Sequence, residues 1–324
     1  IRIIDLLSTC VDSCALGCDE IRRVQGDRLG GDALFKVELK DPTDVRSALT
    51  EADGAAQQAI VTALRNEWGP NLRIVGEEDD DDVPDDDTVS VTTASLRRNL
   101  LALDSDLTVD MSDITVYVDP LDGTREFVEG RIQNCQTLIG IAVKNQPIAG
   151  VMGLPFPQGD LTTPTSIVYG LIGSGTGVYG EPLLPVSYAR ETSSGPRIAT
   201  GDAPASVMVA ARETVVQQFG GENLLYGGAG NKIFATARGE VDCTVQHKFG
   251  GPWDTCAPQA ILTAMGGTIT DMFGHPIQVY SDPKRNAFGY VATNKDSLVP
   301  HDELMEALLS KPAFQEYRQH VEGS

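Results

Sequence analysis

Helices layered against sheets, α+β in a first part and α/β in a second, is the fold class that this 324-residue sequence predicts. Three observations carry it. Two helical stretches open the chain, a group of apolar β-branched runs follows, and beyond residue 196 strand-like and helix-like segments alternate. The length suffices for a large core and two domains, and the Pro/Ser/Gly-rich stretch 181–196 sets the expected parts at 1–185 and 186–324.

In chain order, Ile4, Leu7, Val11, Cys14, Cys18 and Ile21 recur at helical spacing with charges between them. That pattern makes the first stretch a buried helix face and not a signal peptide. The chain begins at Ile1 and not Met, so a targeting segment ahead of it would not be seen. A second helix is built on Ala56, Ile60, Ala63, Leu64 and Trp68, with Asp53 at its start; alone, Asp53 reads as a cap. The apolar stretch 72–75 is a short strand running into Gly76-Glu77-Glu78. Residues 114–118, 137–143 and 148–152 read as successive strands, and 167–172 with 178–179 as a hairpin. The loop Gly173-Ser174-Gly175-Thr176-Gly177 has neither the Lys nor the following helix of a phosphate-binding loop, so it reads as the hairpin turn. Then come a strand at 197–200, helices at 205–219 and 231–238, and a strand at 241–245. A helix from Asp254 to about residue 265, strands at 267–271 and 290–292, and a helix at 298–309 complete the second part.

Composition narrows the functional classes. With 25 Lys and Arg against 46 Asp and Glu, the net charge of -21 argues against nucleic-acid polymers and anionic membranes, which need clustered cations. A small phosphorylated ligand remains open, because metal ions, one lysine and helix N-termini can neutralise it locally. Much of the excess lies in the run 77–87, where Glu77 and Glu78 are site candidates and the rest reads as a solvated loop. No apolar run approaches the roughly 20 residues of a membrane span. Cys10, Cys14 and Cys18 fall at steps of four on one helix and read as small core residues; Cys135, Cys243 and Cys256 are isolated. No Cys-x-x-Cys pair suggests zinc, and a reducing cytoplasm is the expected location.

The chemistry concentrates in Tyr117-Val118-Asp119-Pro120-Leu121-Asp122-Gly123-Thr124. A strand delivers Asp119 to its carboxyl end, and the Pro/Gly turn returns Asp122 beside it. Acids that close repel unless a cation holds them, and carboxylate and loop carbonyl are hard donors that suit Mg²⁺ better than zinc. Alone, the segment is equally an Asp-rich hairpin turn. Two further acidic motifs join it: Glu77 and Glu78 after the short strand, and Asp254 within Pro252-Trp253-Asp254-Thr255-Cys256-Ala257-Pro258. There, in the first turn of a helix, a capping role competes. A covalent aspartyl-phosphate mechanism is excluded by spacing, since its acids stand two residues apart and Asp119 and Asp122 stand three. An EF-hand fails for want of alternating acids along a loop ending in Glu. His247, His275, His301 and His320 are scattered and form no recognisable ligand pair.

Asp-Pro-Leu-Asp-Gly-Thr, Gly-Glu-Glu and Trp-Asp-Thr-Cys-Ala-Pro, in this order and spacing, resemble the magnesium-dependent, lithium-sensitive phosphatases of the inositol monophosphatase superfamily. The resemblance runs from about residue 44 to 271, and within the superfamily 138–155 and Gly227-Gly228-Ala229-Gly230-Asn231-Lys232 are most similar to the bisphosphate nucleotidases. It implies an α-β-α-β-α layered sandwich with the site between two parts, Asp254 coming from the second and cleft closure assembling the whole. By the same resemblance Glu77, Asp119 and the Leu121 carbonyl would hold one Mg²⁺, and Asp119, Asp122 and Asp254 another, with two or three ions per site. Thr124 would hold the attacking water and Asp53 or Glu77 accept its proton. Gly123 and Thr124 amides would take phosphate oxygens, and Gly228, Gly230, Lys232 and Asp254 would contact substrate. The implied substrate is a nucleotide bisphosphate. An inositol polyphosphate is the alternative, because Ile198-Ala199-Thr200-Gly201-Asp202-Ala203-Pro204 lacks both the Ser-His pair of the nucleotidases and a nearby Arg. An inactive cation-binding relative is the non-enzymatic alternative.

Overall fold

The structure, a computed structural model, describes residues 1–30, 37–39, 48–78, 103–183 and 195–323. The chain divides into two compact units, Ile1–Leu183 with Trp253–Ile261, and Leu184–Pro252 with Leu262–Ser324. Among the described residues no helix is long and apolar enough to cross a membrane.

The first unit opens with α1 (Ile3–Gly30), followed by the antiparallel pair β1 (Val37–Leu39) and β2 (Ala48–Thr50) and by α2 (Glu51–Trp68). Its six-stranded sheet holds β3 (Arg73–Gly76), β4 (Ile114–Asp122), β5 (Gln136–Val143), β6 (Gln146–Leu154), β7 (Ser166–Leu171) and β8 (Gly175–Gly180), in that spatial order. Only β3 and β4 pair in parallel. A short helix, α3 (Thr124–Val128), separates β4 from β5. The sequence makes β4 central: every residue of Ile-Thr-Val-Tyr-Val-Asp-Pro-Leu-Asp is buried. Alternation then sorts its side chains. Ile114, Val116 and Val118 enter a core with Leu7 and Cys14 of α1 and Ile60 and Leu64 of α2, so Asp119 points to the other face. Each such aliphatic side chain contributes about 1.5–3 kcal/mol on full burial, and this cluster anchors the strand that carries the acids.

The second unit contains β9 (Arg197–Thr200), α4 (Ser206–Glu213), β10 (Glu222–Leu225), α5 (Ala229–Ala237), β11 (Cys243–Gln246), β12 (Thr268–Thr270), β13 (Tyr290–Thr293), α7 (His301–Leu309) and α8 (Pro312–Glu322), with α6 (Pro252–Ala264) between β11 and β12. Its sheet order is β10-β9-β11-β13-β12, parallel across the first three strands and antiparallel beyond. Ile198 of β9 packs with Val207, Met208, Leu304, Leu308 and Phe314 from α4, α7 and α8. Its neighbour Ala199 packs with Ala235 of α5, on the opposite face. Helices on both faces of this sheet agree with the layered fold class.

Several expectations need adjustment. The strand expected at 72–75 is β3, and the one at 178–179 extends back to Gly175 despite three glycines. The helix expected at 205–219 is α4 followed by a π-helical turn, Thr214–Gln218. The helix expected from 298 starts at His301, because Pro300 is its N-cap residue. Strand β10 and helix α8 had no counterpart in the sequence reading. The acidic loop lies, from residue 79 on, outside the described residues, as does 184–194 of the expected boundary.

The larger correction concerns Asp254, expected in the part 186–324. Trp253–Ile261 of α6 belongs to the first unit. The reason is steric. Gly140 and Gly150 are register partners on β5 and β6, and a Cβ on either would lie 2.3–2.8 Å from atoms of Cys256 or Ala257. Without side chains there, the helix backbone rests on the sheet. Gly153, three residues from Gly150 and so on the other face, meets Cys14 and Cys18 of α1 instead. The first sheet is thus also covered on both faces.

Candidate active site

The acid turn is built by a bulge. Asp119 pairs with Leu138 and Asp122 with Gln136, so three steps on β4 span two on β5. The extra residue restores Asp122 to the face of Asp119, which strict alternation would deny it. Gly123 then turns the chain into α3 at φ 88° and ψ 36°, and a Cβ there would stand 2.9 Å from the Asn134 carbonyl, so glycine is required. The Leu121 side chain is sunk among Ile21, Ala52, Phe127 and Phe156, which turns its backbone toward the loop. Its N–H donates to Asp119 Oδ1 at 3.0 Å, and its carbonyl accepts from Thr124 Oγ1 at 3.0 Å.

Asp119, Asp122 and Asp254 meet at one point. Each is buried, and one carboxylate oxygen from each lies within 4.8 Å of the others. Glu77 joins from β3, whose parallel pairing continues through Glu77 N–H to the Val118 carbonyl at 2.9 Å. Its carboxyl hydrogen-bonds that of Asp119. Burial first, then the charges of Glu77, Asp122 and Asp254, push the Asp119 carboxyl well above its ordinary range. The donors are all oxygen, which fits a hard divalent cation.

Asp53 performs two tasks, one with each oxygen. Its Oδ2 accepts from Thr50 N at 2.8 Å and Thr50 Oγ1 at 2.6 Å, completing a capping box at the start of α2. Its Oδ1 accepts from Thr124 Oγ1 at 2.9 Å. The cap expected from sequence is present, and so is the contact with the candidate water-holding threonine. Complete burial raises its pKa to about 7 against the hydrogen bonds from Thr50 and Thr124, which lower it.

Gln57 escaped the sequence reading. Fully buried one turn after Asp53, it donates to the Glu78 carbonyl at 2.7 Å and accepts from Glu78 N–H at 3.1 Å. It fits because Gly76 has no Cβ; one would lie 2.5 Å from Gln57 Oε1. Its i,i+4 spacing from Asp53 on one helix face was the available signal.

In the second unit Gly228, Gly230 and Lys232 lie at the start of α5, with Gly228 at φ 74° as the N-cap residue. Lys232 is buried and bends back, donating from Nζ to the Gly228 carbonyl at 2.6 Å and the Tyr226 carbonyl at 3.4 Å. Its ammonium therefore braces the glycine loop. Asp202 is exposed, as expected for a loop acid. The expectation that no Arg stands near it is corrected. Arg212, ten residues on and near the end of α4, reaches the Gly201 carbonyl at 3.3 Å and the Ala203 carbonyl at 3.1 Å because its long side chain folds back over the loop that precedes the helix.

The profile of the inositol monophosphatase family matches residues 24–314. The chain is 33% identical over 284 residues to human 3'(2'),5'-bisphosphate nucleotidase 1, covering 84% of this chain and 85% of that protein. To the Dictyostelium discoideum protein of the same name it is 31% identical over 313 residues, covering 90% and 94%. Among solved structures, the extragenic suppressor protein suhB of Bartonella henselae shares the fold with a TM-score of 0.66, at 21% identity, covering 94% of this chain and 98% of that one. The motifs around Glu77, Asp119 and Asp254 thus stand in a chain matched along nearly its whole length, and the chain belongs to the inositol monophosphatase family.

Proposed function

We propose that this chain is a Mg²⁺-dependent phosphoric monoester hydrolase that removes the 3'-phosphate of adenosine 3',5'-bisphosphate. The observation that carries the chemistry is the convergence of Asp119, Asp122 and Asp254 within 4.8 Å, beside Glu77. The substrate class is supported by the names of the relatives at 33% and 31% identity.

Glu77, Asp119 and the Leu121 carbonyl would hold one Mg²⁺, and Asp119, Asp122 and Asp254 a second, with a third possible in the same oxygen-rich turn. Bound there, the cations supply charge stabilisation of the phosphoryl oxygens and acidify water. The chain's own residues do the rest. Thr124 Oγ1 has one proton and lies between two acceptors, Asp53 Oδ1 and the Leu121 carbonyl. A protonated Asp53 satisfies both, donating to Thr124 while Thr124 donates to Leu121. An ionised Asp53 takes the Thr124 hydrogen bond and frees the hydroxyl oxygen to orient a water. Asp53, lifted to about 7, can change between these states near neutral pH, as a general base should. The Gly123 and Thr124 amides would take phosphate oxygens. Gly228, Gly230 and the loop braced by Lys232 would contact the rest of the nucleotide.

The second reading, hydrolysis of inositol 1,4-bisphosphate, is favoured by one feature: the loop Gly201–Ala203 offers the acid Asp202, and its Arg212 is engaged by backbone carbonyls. A phosphate-release panel separates the two. It would contain adenosine 3',5'-bisphosphate, inositol 1,4-bisphosphate, inositol 1-phosphate and fructose 1,6-bisphosphate, each with and without Mg²⁺ and with added lithium. The adenosine compound should be hydrolysed best, only with Mg²⁺, and lithium should inhibit. Strong preference for inositol 1,4-bisphosphate with the adenosine compound inert overturns the substrate assignment.

A further inference from the structure

The Thr137 side chain lies on the face of β5 away from the acids, fully buried. It donates from Oγ1 to the Pro120 carbonyl at 3.0 Å. Pro120 sits inside the bulge, outside the β4–β5 register. The nitrogen end of the same peptide unit is Leu121 N–H, which donates to Asp119 Oδ1 at 3.0 Å. A peptide unit is planar and rigid, so fixing its oxygen fixes the direction of its N–H. Thr137 thus grips one end of a plate whose other end grips Asp119.

Thr137 is itself held from behind. Cys18 Sγ lies 3.7 Å from Thr137 Oγ1, and Cys14 Sγ lies 3.8 Å from the Thr137 carbonyl. A threonine hydroxyl has a single proton, here given to Pro120, so the Cys18 thiol must be the donor in its bond with Thr137. Space for both thiols exists because the register partner of Thr137 on β6 is Gly153. A Cβ at that position would stand 2.4 Å from Cys18 Sγ and 2.6 Å from Cys14 Sγ. The sequence of bonds runs from Cys18 S–H to Thr137 O–H, to the Pro120–Leu121 peptide, to Asp119.

We propose that Thr137 is a positioning residue for Asp119, acting through the Pro120–Leu121 peptide unit, with Cys18 orienting its hydroxyl. The inference rests on the reading of Asp119 as a cation ligand. Without the hydroxyl, the Pro120 carbonyl turns to another donor, the Leu121 N–H leaves Asp119, and the carboxylate no longer waits in its binding orientation. Groups that orient a ligand from behind typically alter metal affinity by about 10- to 100-fold.

The test uses the full chain and Mn²⁺ alone, with binding read from loss of the free-ion electron paramagnetic resonance signal and no substrate present. Thr137→Val should weaken Mn²⁺ binding by roughly 10- to 100-fold, and Thr137→Ser, which keeps the hydroxyl, should restore it. In turnover, the Mg²⁺ concentration for half-maximal rate should rise in Thr137→Val while kcat at saturating Mg²⁺ stays near wild type. Unchanged Mn²⁺ affinity in Thr137→Val, or equal weakening in Thr137→Ser, overturns the proposal. Should Thr137→Val not fold, Thr137→Ala removes the same hydroxyl without adding bulk beside the thiols, and unchanged affinity there overturns it equally. A wild-type chain that binds no Mn²⁺ fails the cation reading itself, and the proposal with it.

Discussion

Replacing Asp119 by Asn should make the metal-free protein more stable and the enzyme inactive. The side chain keeps its shape, and its Oδ1 can still accept from Leu121 N–H, while a new N–H can donate to Glu77 in place of the acid–acid bond. What disappears is charge. At 4.8 Å, the distance within which the triad's oxygens all lie, and an effective dielectric of about 20, each ionised pair costs ~3.5 kcal/mol. Asp119 takes part in two such pairs, together ~7 kcal/mol or more with all three acids ionised. Holding a proton on one carboxyl instead costs about 4 kcal/mol at pH 7 for a group of ordinary pKa, so protonation is the cheaper escape. The neutral amide avoids even that. In excess EDTA at pH 7, Asp119→Asn should therefore unfold about 2–4 kcal/mol later in urea than wild type. The advantage should vanish toward pH 4, because the native acid binds its proton above the unfolded value and wild-type stability is fully present only at low pH. Adding Mg²⁺ should reverse the comparison: at a hundredfold excess over its dissociation constant it stabilises wild type by about 2.7 kcal/mol and should leave the variant unmoved. A variant no more stable than wild type in EDTA, or one that Mg²⁺ stabilises equally, refutes the reasoning. Wild-type turnover in excess chelator would refute the metal chemistry as a whole.

Thr124→Ala should lower kcat by about 100-fold or more with little change in KM, because Thr124 links Asp53 to the loop where the proposed mechanism would orient its water; a change confined to KM would remove it from that step. Lys232→Met keeps the apolar stem but removes the ammonium from two carbonyls, so it should cost about 1.5–3 kcal/mol of stability and raise KM more than it lowers kcat. Equal losses in kcat and kcat/KM would instead assign Lys232 to the transition state. His301, half-buried between Thr270 and Thr293, has its pKa lowered by burial despite Asp302 beside it. The unfolded chain therefore takes up that proton first, stability should fall as pH drops below about 6.5, and His301→Asn should flatten the slope in urea titrations. An unchanged slope in the variant would show that other groups set it.

The strands that carry the site were legible because burial leaves a strong mark on sequence: 114–118 and 137–143 are almost unbroken apolar runs. The acid motifs were legible because they are local. What local reading could not see was tertiary. Strand β10 is half-exposed at a sheet edge and shows no alternation, and α8 buries only Phe314 and Val321, too few to give a stripe. The unit to which Asp254 belongs is decided by two glycines more than 100 residues earlier, whose meaning appears only when a helix lies on them. Thr137 looked like an ordinary β-former, since nothing in sequence tells that its hydroxyl meets a bulge seventeen residues back. Lys232 was legible as a notable lysine, but its direction, inward to its own loop, was not.

The division of the chain carries a consequence for how the protein is made. Residues 1–183 emerge from the ribosome with Asp119 and Asp122 already encoded, yet the segment that completes their unit, Trp253–Ile261, follows some seventy residues later. Until it arrives, the flat patch at Gly140 and Gly150 has no helix against it, and the third acid is absent. The nascent first sheet must therefore wait, part finished, while Leu184–Pro252, the first portion of the second unit, is synthesised. A cation held by all three acids would therefore reward folding only after Trp253–Ile261 has been made, as a later step of assembly and not as its nucleus.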